Sequence, residues 1–242
     1  MIRLLNGCTA SVILVLILQM RPHPMDFSYR PPGELVAGSG TGRLDNKEYL
    51  PGIRFPLEAA PAFANSQVWG PGGSQGGGGS QCDVANYRYP WHDNFCETRD
   101  HPMPLCPAGV GHQGQDIRPA TCVKEHYWAV AAIDGTVTNV GAYSVYVTAD
   151  DGSGIRVDYL HMANVIVQVG NKVVKGNRLG QVSDVYPGGT TIHLHFNIRQ
   201  KDATLGFVFV PPYTSLVSAY QHMWTSSLHL PAHDISSKVD QK

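Results

Sequence analysis

Thr190-Thr191-Ile192-His193-Leu194-His195-Phe196-Asn197-Ile198 is the stretch whose reading decides the fold. It follows a turn at Pro187-Gly188-Gly189, is mostly apolar and is too short to show a helical period, so it reads as a β-strand. Alternate side chains of a strand share a face. His193 and His195 therefore project to one side, with Cα atoms about 6.5–7 Å apart. Leu194 and Phe196 turn to the other side, into a core. Two imidazoles side by side on a rigid strand can form half of a metal site, one ligating while its neighbour handles protons. A His-x-His pair alone is more often solvated or hydrogen-bonded, so the rest of the chain has to decide.

Working outward, short β-rich runs fill the region around this strand. Residues 127–133, 136–140, 143–149, 155–162, 173–174, 179–182 and 207–210 read as strands. Asp134-Gly135 and the loop at 150–154 are their turns. Turn signals about 8–12 residues apart imply antiparallel sheet layers folded over each other. The fold class is mainly β, with a groove and few short helices, one of them at 215–220. Residues 223–242 read as a polar, frayed tail.

Upstream, Gly111-His112-Gln113-Gly114-Gln115-Asp116-Ile117 holds a histidine and an aspartate four apart. That spacing aligns two side chains on a helix, but Gly111 and Gly114 oppose one, so the segment reads as a loop entering a strand. Tyr87, Tyr89, Trp91 and Phe95 crowd a stretch with His92, Asp93 and Asn94 between two cysteines. This reads as a stapled loop packed on the domain, or as a wall of a binding groove. His92 is the member able to reach the groove.

Residues 22–81 read as a Pro/Gly-rich linker. Eight prolines break any long helix, and Gly70-Pro71-Gly72-Gly73-Ser74-Gln75-Gly76-Gly77-Gly78-Gly79-Ser80 has the composition of a flexible tether. Residues 1–21 carry Arg3 and the apolar run 12–18, the length of a secretory signal core and short for a transmembrane helix. No small-x-small cleavage site follows, so a cleaved signal and an uncleaved membrane anchor both stand. Either reading implies export to the periplasm, the cell envelope or the medium. Cys8 lies in this segment, leaving Cys82, Cys96, Cys106 and Cys122 as disulfide candidates. Three pairings are possible, and proximity favours Cys82 with Cys96 and Cys106 with Cys122. No Cys-x-x-Cys pair exists for a zinc ribbon.

The 242-residue chain has a formal charge of −1 and 43% hydrophobic residues, enough for a core and without the basic excess of a nucleic-acid binder. Its 11 histidines matter more, since histidine is the commonest metal ligand. His112, Asp116 and His195 make a two-histidine, one-carboxylate set with a fourth position open, the pattern of a catalytic zinc. His161 and His193 then stand next to the open position.

These segments resemble the lysostaphin-type (LytM-like) zinc endopeptidases. The run 111–117 is similar to that family's His-x-x-x-Asp signature, His193-Leu194-His195-Phe196 to its His-Leu-His-Phe strand, and Tyr159-Leu160-His161-Met162 to its Tyr-x-His-Leu segment. Val169, Gly170, Lys172, Val173, Gly176, Leu179 and Gly180 follow its valine–glycine rhythm, and Asp134-Gly135-Thr136-Val137 its early hairpin. The likeness covers about residues 109–200. It implies a duplicated-hybrid-motif fold over 82–222 and one Zn2+ per chain on His112, Asp116 and His195. It also implies catalytic roles for His161 and His193, and hydrolysis of peptidoglycan stem-peptide cross-links or bridges. Residues 119–125, which carry Cys122, and 183–189, which carry Tyr186, depart from the family pattern. Both edge the groove in relatives, so Tyr186 is a substrate-groove candidate. Two alternatives differ in what the site does: a non-catalytic or latent regulator of wall hydrolases, or a secreted zinc protease acting on proteins. The oligomeric state is not legible.

Overall fold

The computed structural model describes residues 27–228. The apolar run read as a signal or anchor lies outside the described residues; of the tail expected at 223–242, residues 223–228 are instead helical and the rest lies outside them. No helix among the described residues is long and apolar enough to cross a membrane.

The central strand is β10 (Leu194–Asp202). Its first residues pair with β2 (Gln115–Arg118) and its later ones with β11 (Gly206–Val210). Its other edge pairs with β6 (Arg156–Leu160). From there the sheet runs through β5 (Ser144–Ala149) and β4 (Gly135–Val140) to β8 (Lys172–Val173), while β1 (Phe63–Ala64) caps β2. A smaller sheet holds β3 (Trp128–Val130), β9 (Arg178–Val182) and β7 (Met162–Ala163) in the order β3-β9-β7. All these pairings are antiparallel, as the turn spacing implied. One apolar cluster takes Val145, Val157 and Phe196 from the large sheet and Ala129, Met162, Leu179 and Val182 from the small one.

The strand expected at 190–198 begins later and ends later. Thr190 to Ile192 are irregular, and His193 makes an isolated bridge to Ser183 before β10 begins. The expected alternation holds: Leu194, Phe196 and Ile198 enter the core cluster. The short helix expected at 215–220 is α1 (Tyr213–Leu228), 16 residues long. Tyr213, Leu216, Val217 and Tyr220 are buried, at the i, i+3, i+4, i+7 spacing of a helix that covers a core with one face. The Tyr220 ring meets Trp91 at 4.5 Å, Phe27 at 4.7 Å and Phe55 at 4.8 Å between centroids.

Two sequence readings need correction. Residues 27–81 are not a linker. Ile53, Phe55 and Leu57 are buried in the main core, Ala62 and Ala64 beside them, and Leu57 bridges Ala129. Proline does exclude helix here, but it does not exclude an extended segment. Ile53, Phe55 and Leu57 alternate with Arg54 and Pro56, and that period of two lays one apolar face on the domain. Each such side chain contributes about 1.5–3 kcal/mol on burial, enough to offset ordering of its own residue.

The second correction concerns the disulfides, which are Cys82–Cys122 and Cys96–Cys106. Proximity in sequence misled because Gln81 is carried to the end of β2, where its carbonyl accepts from Arg118 Nη1 at 3.1 Å. That contact sets Cys82 beside the segment that follows β2.

Phe55→Ala should lower unfolding free energy in urea by about 3–5 kcal/mol, as a core truncation does. A residue in a true linker would change it by about 0.5 kcal/mol or less.

Candidate metal centre

The strand register builds the site. In the β2–β10 ladder Asp116 stands directly opposite His195. His112 lies just before β2, where its N–H donates to the Glu97 carbonyl at 2.8 Å and its own carbonyl accepts from Cys96 at 3.0 Å. Glycines make the approach possible. A Cβ on Gly111 would press on the Cys96 backbone, and one on Gly114 would fall on Asn197 Oδ1 and the Phe196 carbonyl.

Three atoms converge. His195 Nδ1 lies 2.9 Å from Asp116 Oδ1 and 3.0 Å from His112 Nε2, and His112 Nε2 lies 3.3 Å from Asp116 Oδ1. Ligands about 2.0–2.1 Å from a tetrahedral zinc stand about 3.3 Å apart, so these atoms have nearly the spacing of one tetrahedral face. All three residues are buried.

The outer partners settle which nitrogens carry protons. His112 Nδ1 lies 2.9 Å from the Asn94 carbonyl and donates to it. His195 Nε2 lies 2.7 Å from Asn197 Oδ1 and donates there. The inward nitrogens, His112 Nε2 and His195 Nδ1, are then bare lone pairs in the neutral rings. Their 3.0 Å approach is not a hydrogen bond between neutral partners. Two lone pairs and a carboxylate oxygen facing one another in a buried space repel unless a cation sits among them. A divalent ion with an N, N, O preference fits this donor set. Without one, protons substitute. Burial opposes charge on Asp116, but His112 and His193 outweigh it and hold the carboxyl well below its usual range. Burial also opposes a proton on His112, while Asp116 draws one there and raises its pKa.

The two other expected histidines face the same space. His193 Nδ1 lies 2.8 Å from the Thr191 carbonyl, and its Nε2 lies 3.4 Å from Asp116 Oδ1. His161 Nδ1 lies 3.1 Å from the Val185 carbonyl, and its ring centroid lies 4.5 Å from that of His193. His161 has φ +67°, a strained backbone for a non-glycine residue and a mark of a site that over-determines its geometry. Burial first, then the charges of His193 and His195, lowers its pKa to about 2.

In front of these groups opens a cleft of about 480 Å3. Tyr186 lines it, edge-on to His161 and to Tyr143. His92 does not line it; its main chain pairs with Ala64 and with Gln115 Nε2. The member of that stretch that serves the site is Asn94, which also accepts from the Asp116 N–H through Oδ1. Arg99 and His101, inside the loop closed by Cys96–Cys106, form another part of the wall. A second hollow of about 530 Å3 continues from the cleft, sharing Gln67, Val68, Ser74, Gly189 and Thr190 with it.

The glycine-rich run 70–80 forms that wall as successive turns. Gly73 N–H donates to Gly70, Gln75 to Val68 and Gly72 to Gly78. A Cβ at Gly72 would fall on Gln81, and one at Gly76 on Gly70. Composition suggested a tether; here glycine serves close backbone packing instead.

Residues 110–206 match the model of peptidase family M23. This stretch is similar to that peptidase family, and the resemblance to lysostaphin-type enzymes is borne out over it. Solved structures give partial likenesses. A protein of Ruminococcus gnavus designated a candidate glycyl-glycine endopeptidase, LytM, is 22% identical, over 69% of this chain and 60% of its own length, with a TM-score of 0.44. The catalytic domain of lysostaphin from Staphylococcus simulans is 22% identical, over 56% of this chain and 96% of its own, with a TM-score of 0.40. The M23 metalloprotease pseudoalterin is 24% identical, over 40% of this chain and 57% of its own, with a TM-score of 0.32. The chain thus spans about 60% of the first of these. No curated protein matches it.

Asn197→Ala removes the acceptor that holds the His195 ring. Affinity for a divalent metal, read by competition with a chromogenic chelator, should fall about 10–100-fold while the fold is retained.

Proposed function

We propose that the protein is an exported zinc endopeptidase that hydrolyses peptide bonds of bacterial peptidoglycan. The observation that carries this reading is the meeting of two proton-free imidazole nitrogens and a carboxylate oxygen at the floor of an open cleft. His112, Asp116 and His195 would hold one Zn2+ there, which would supply Lewis acidity and a water acidified to a pKa of about 7.

The chain's own residues do the rest. With Nδ1–H spent on the Thr191 and Val185 carbonyls, His193 and His161 in their neutral forms each keep a lone pair on Nε2, that of His193 3.4 Å from Asp116 Oδ1. A proton taken from the attacking water at one Nε2 makes an imidazolium. That cation then lies beside the developing oxyanion and can return the proton to the leaving amine. Asn94 and Asn197 hold the ligand rings in place, so no reorganisation is required when charge develops.

An open cleft of about 480 Å3 supports an enzyme over a latent form plugged by the 82–106 segment, whose Arg99 and His101 stand at its wall. Peptidoglycan as substrate rests on the family of residues 110–206. Export is supported by the two disulfides, which persist in oxidising compartments.

Metal-loaded protein should release soluble muropeptides from purified walls, and a chelator should abolish the release. His195→Ala and Asp116→Ala should lose both metal and activity. His193→Ala should keep most of its metal and lose activity about 100-fold or more. Equal metal loss in all three, measured by atomic emission on dialysed protein, would refute this division of roles. No release by the loaded enzyme would refute the substrate.

A further inference from the structure

Arg99 is the only lysine or arginine among the described residues that line the cleft, and Asp116, which lies within the cluster, is the only carboxylate. The rest of that lining is apolar, glycine, hydroxyl, amide or imidazole. The charge stands close to the reacting groups, because the 97–101 segment runs alongside 111–112. His112 N–H donates to the Glu97 carbonyl at 2.8 Å, and Gly111 N–H to the His101 carbonyl at 3.0 Å.

The guanidinium is aimed. Nη2 is 3.0 Å from Glu97 Oε2, and the Glu97 side chain is fully buried while that of Arg99 is 19% exposed. Nη1 donates to the Thr98 carbonyl at 2.7 Å. A buried carboxylate cannot leave its counter-ion without a large desolvation cost, so Glu97 fixes where Arg99 points. The backbone beneath is equally constrained. Glu97 bridges Gly40, Thr98 N–H donates to Ser39, and Cys96–Cys106 closes the loop. Those bonds occupy two of the five N–H donors of the guanidinium, a fork whose geometry matches a carboxylate.

We propose that Arg99 is a specificity-determining residue that binds a free carboxylate of the peptide substrate and so sets which bond lies over the metal centre. The proposal rests on the endopeptidase reading of the same cleft. The carboxylate comes from a peptide C-terminus or from an acidic side chain close to the scissile bond. A residue that served only as counter-ion to Glu97 would give the same fold and no carboxylate preference.

The test uses full-length, metal-loaded protein and acetylated Ala/Gly hexapeptides. One pair ends in a free acid or a carboxamide; a second, amidated pair carries an internal Glu or Gln. Binding to the inactive His193→Ala protein is measured by titration calorimetry, and kcat/KM with the unsubstituted enzyme. The acid or the Glu peptide should bind about tenfold more tightly than its neutral partner. The pair that shows the preference identifies the source of the carboxylate. Arg99→Gln in that background should bring the ratio to one without changing affinity for the neutral peptide, and Arg99→Lys should restore part of it. Should Arg99→Gln destabilise the loop by stranding Glu97, the Glu97→Gln/Arg99→Gln pair removes both charges and should give the same ratio of one. Equal binding within both pairs, including no measurable binding, overturns the proposal, as does a preference that survives Arg99→Gln. A preference without turnover would sink the endopeptidase reading and leave Arg99 as a carboxylate site. Turnover without preference would do the reverse.

Discussion

Lone pairs and a carboxylate brought face to face by the β2–β10 register are the constraint on which the site depends. Two imidazoles with outward protons and one carboxylate are pressed to about hydrogen-bond distance at the floor of the cleft, where all three side chains are largely buried. That arrangement is unfavourable by itself and favourable around a cation, so metal affinity is stored in the fold. What maintains it is register. Asp116 faces His195 because β2 and β10 pair as they do, and a slip by one residue would send His195 into the core and Leu194 into the cleft. The burial of Leu194, Phe196 and Ile198 on the opposite face is what forbids the slip.

Much of this was legible beforehand because it is written in short periods. The alternation around His193 and His195, the glycines around His112 and the run of hairpins each depend on neighbours a few residues away. The choice of the five site residues rests instead on the likeness of three separated segments, 111–117, 159–162 and 193–196, to one family. The partners that orient the ligands were harder to see. Asn197 is two places along the strand from His195, hence on its face, and could have been named from that spacing alone. Asn94 could not, since it reaches His112 and Asp116 through contacts 18 and 22 residues apart in sequence.

The linker and tether readings share one cause: composition is a poor guide to order. The N-terminal segment is rich in proline and glycine, and it is ordered nonetheless because extended chain can bury apolar side chains without a helix or a long strand. Phe55 and Leu57 do so against the core cluster. The glycine-rich run has no apolar face, and it owes its order to backbone approaches that only glycine allows, at Gly72 and Gly76 above all. The disulfide pairing failed for a related reason. Closeness along the chain is a weak guide once a loop such as 70–81 folds back on the strand it precedes.

These corrections change what the cleft is made of. The candidate metal ligands His112, Asp116 and His195 lie within residues 110–206, the stretch matched to the peptidase family. Gln67, Val68, Ser74, Arg99 and His101 lie before it, and they line the same opening. On the proposed reading, chemistry and selection are carried by different parts of one chain. The core strands fix the reacting atoms, while an N-terminal extension and a stapled loop shape the approach. Cys82–Cys122 ties the end of the first to the segment after β2, and Cys96–Cys106 closes the second beside the His112 backbone. Anchored in this way, walls that are short of regular structure can still present fixed groups. For the proposed peptide substrate, binding energy would then be less diminished by ordering them.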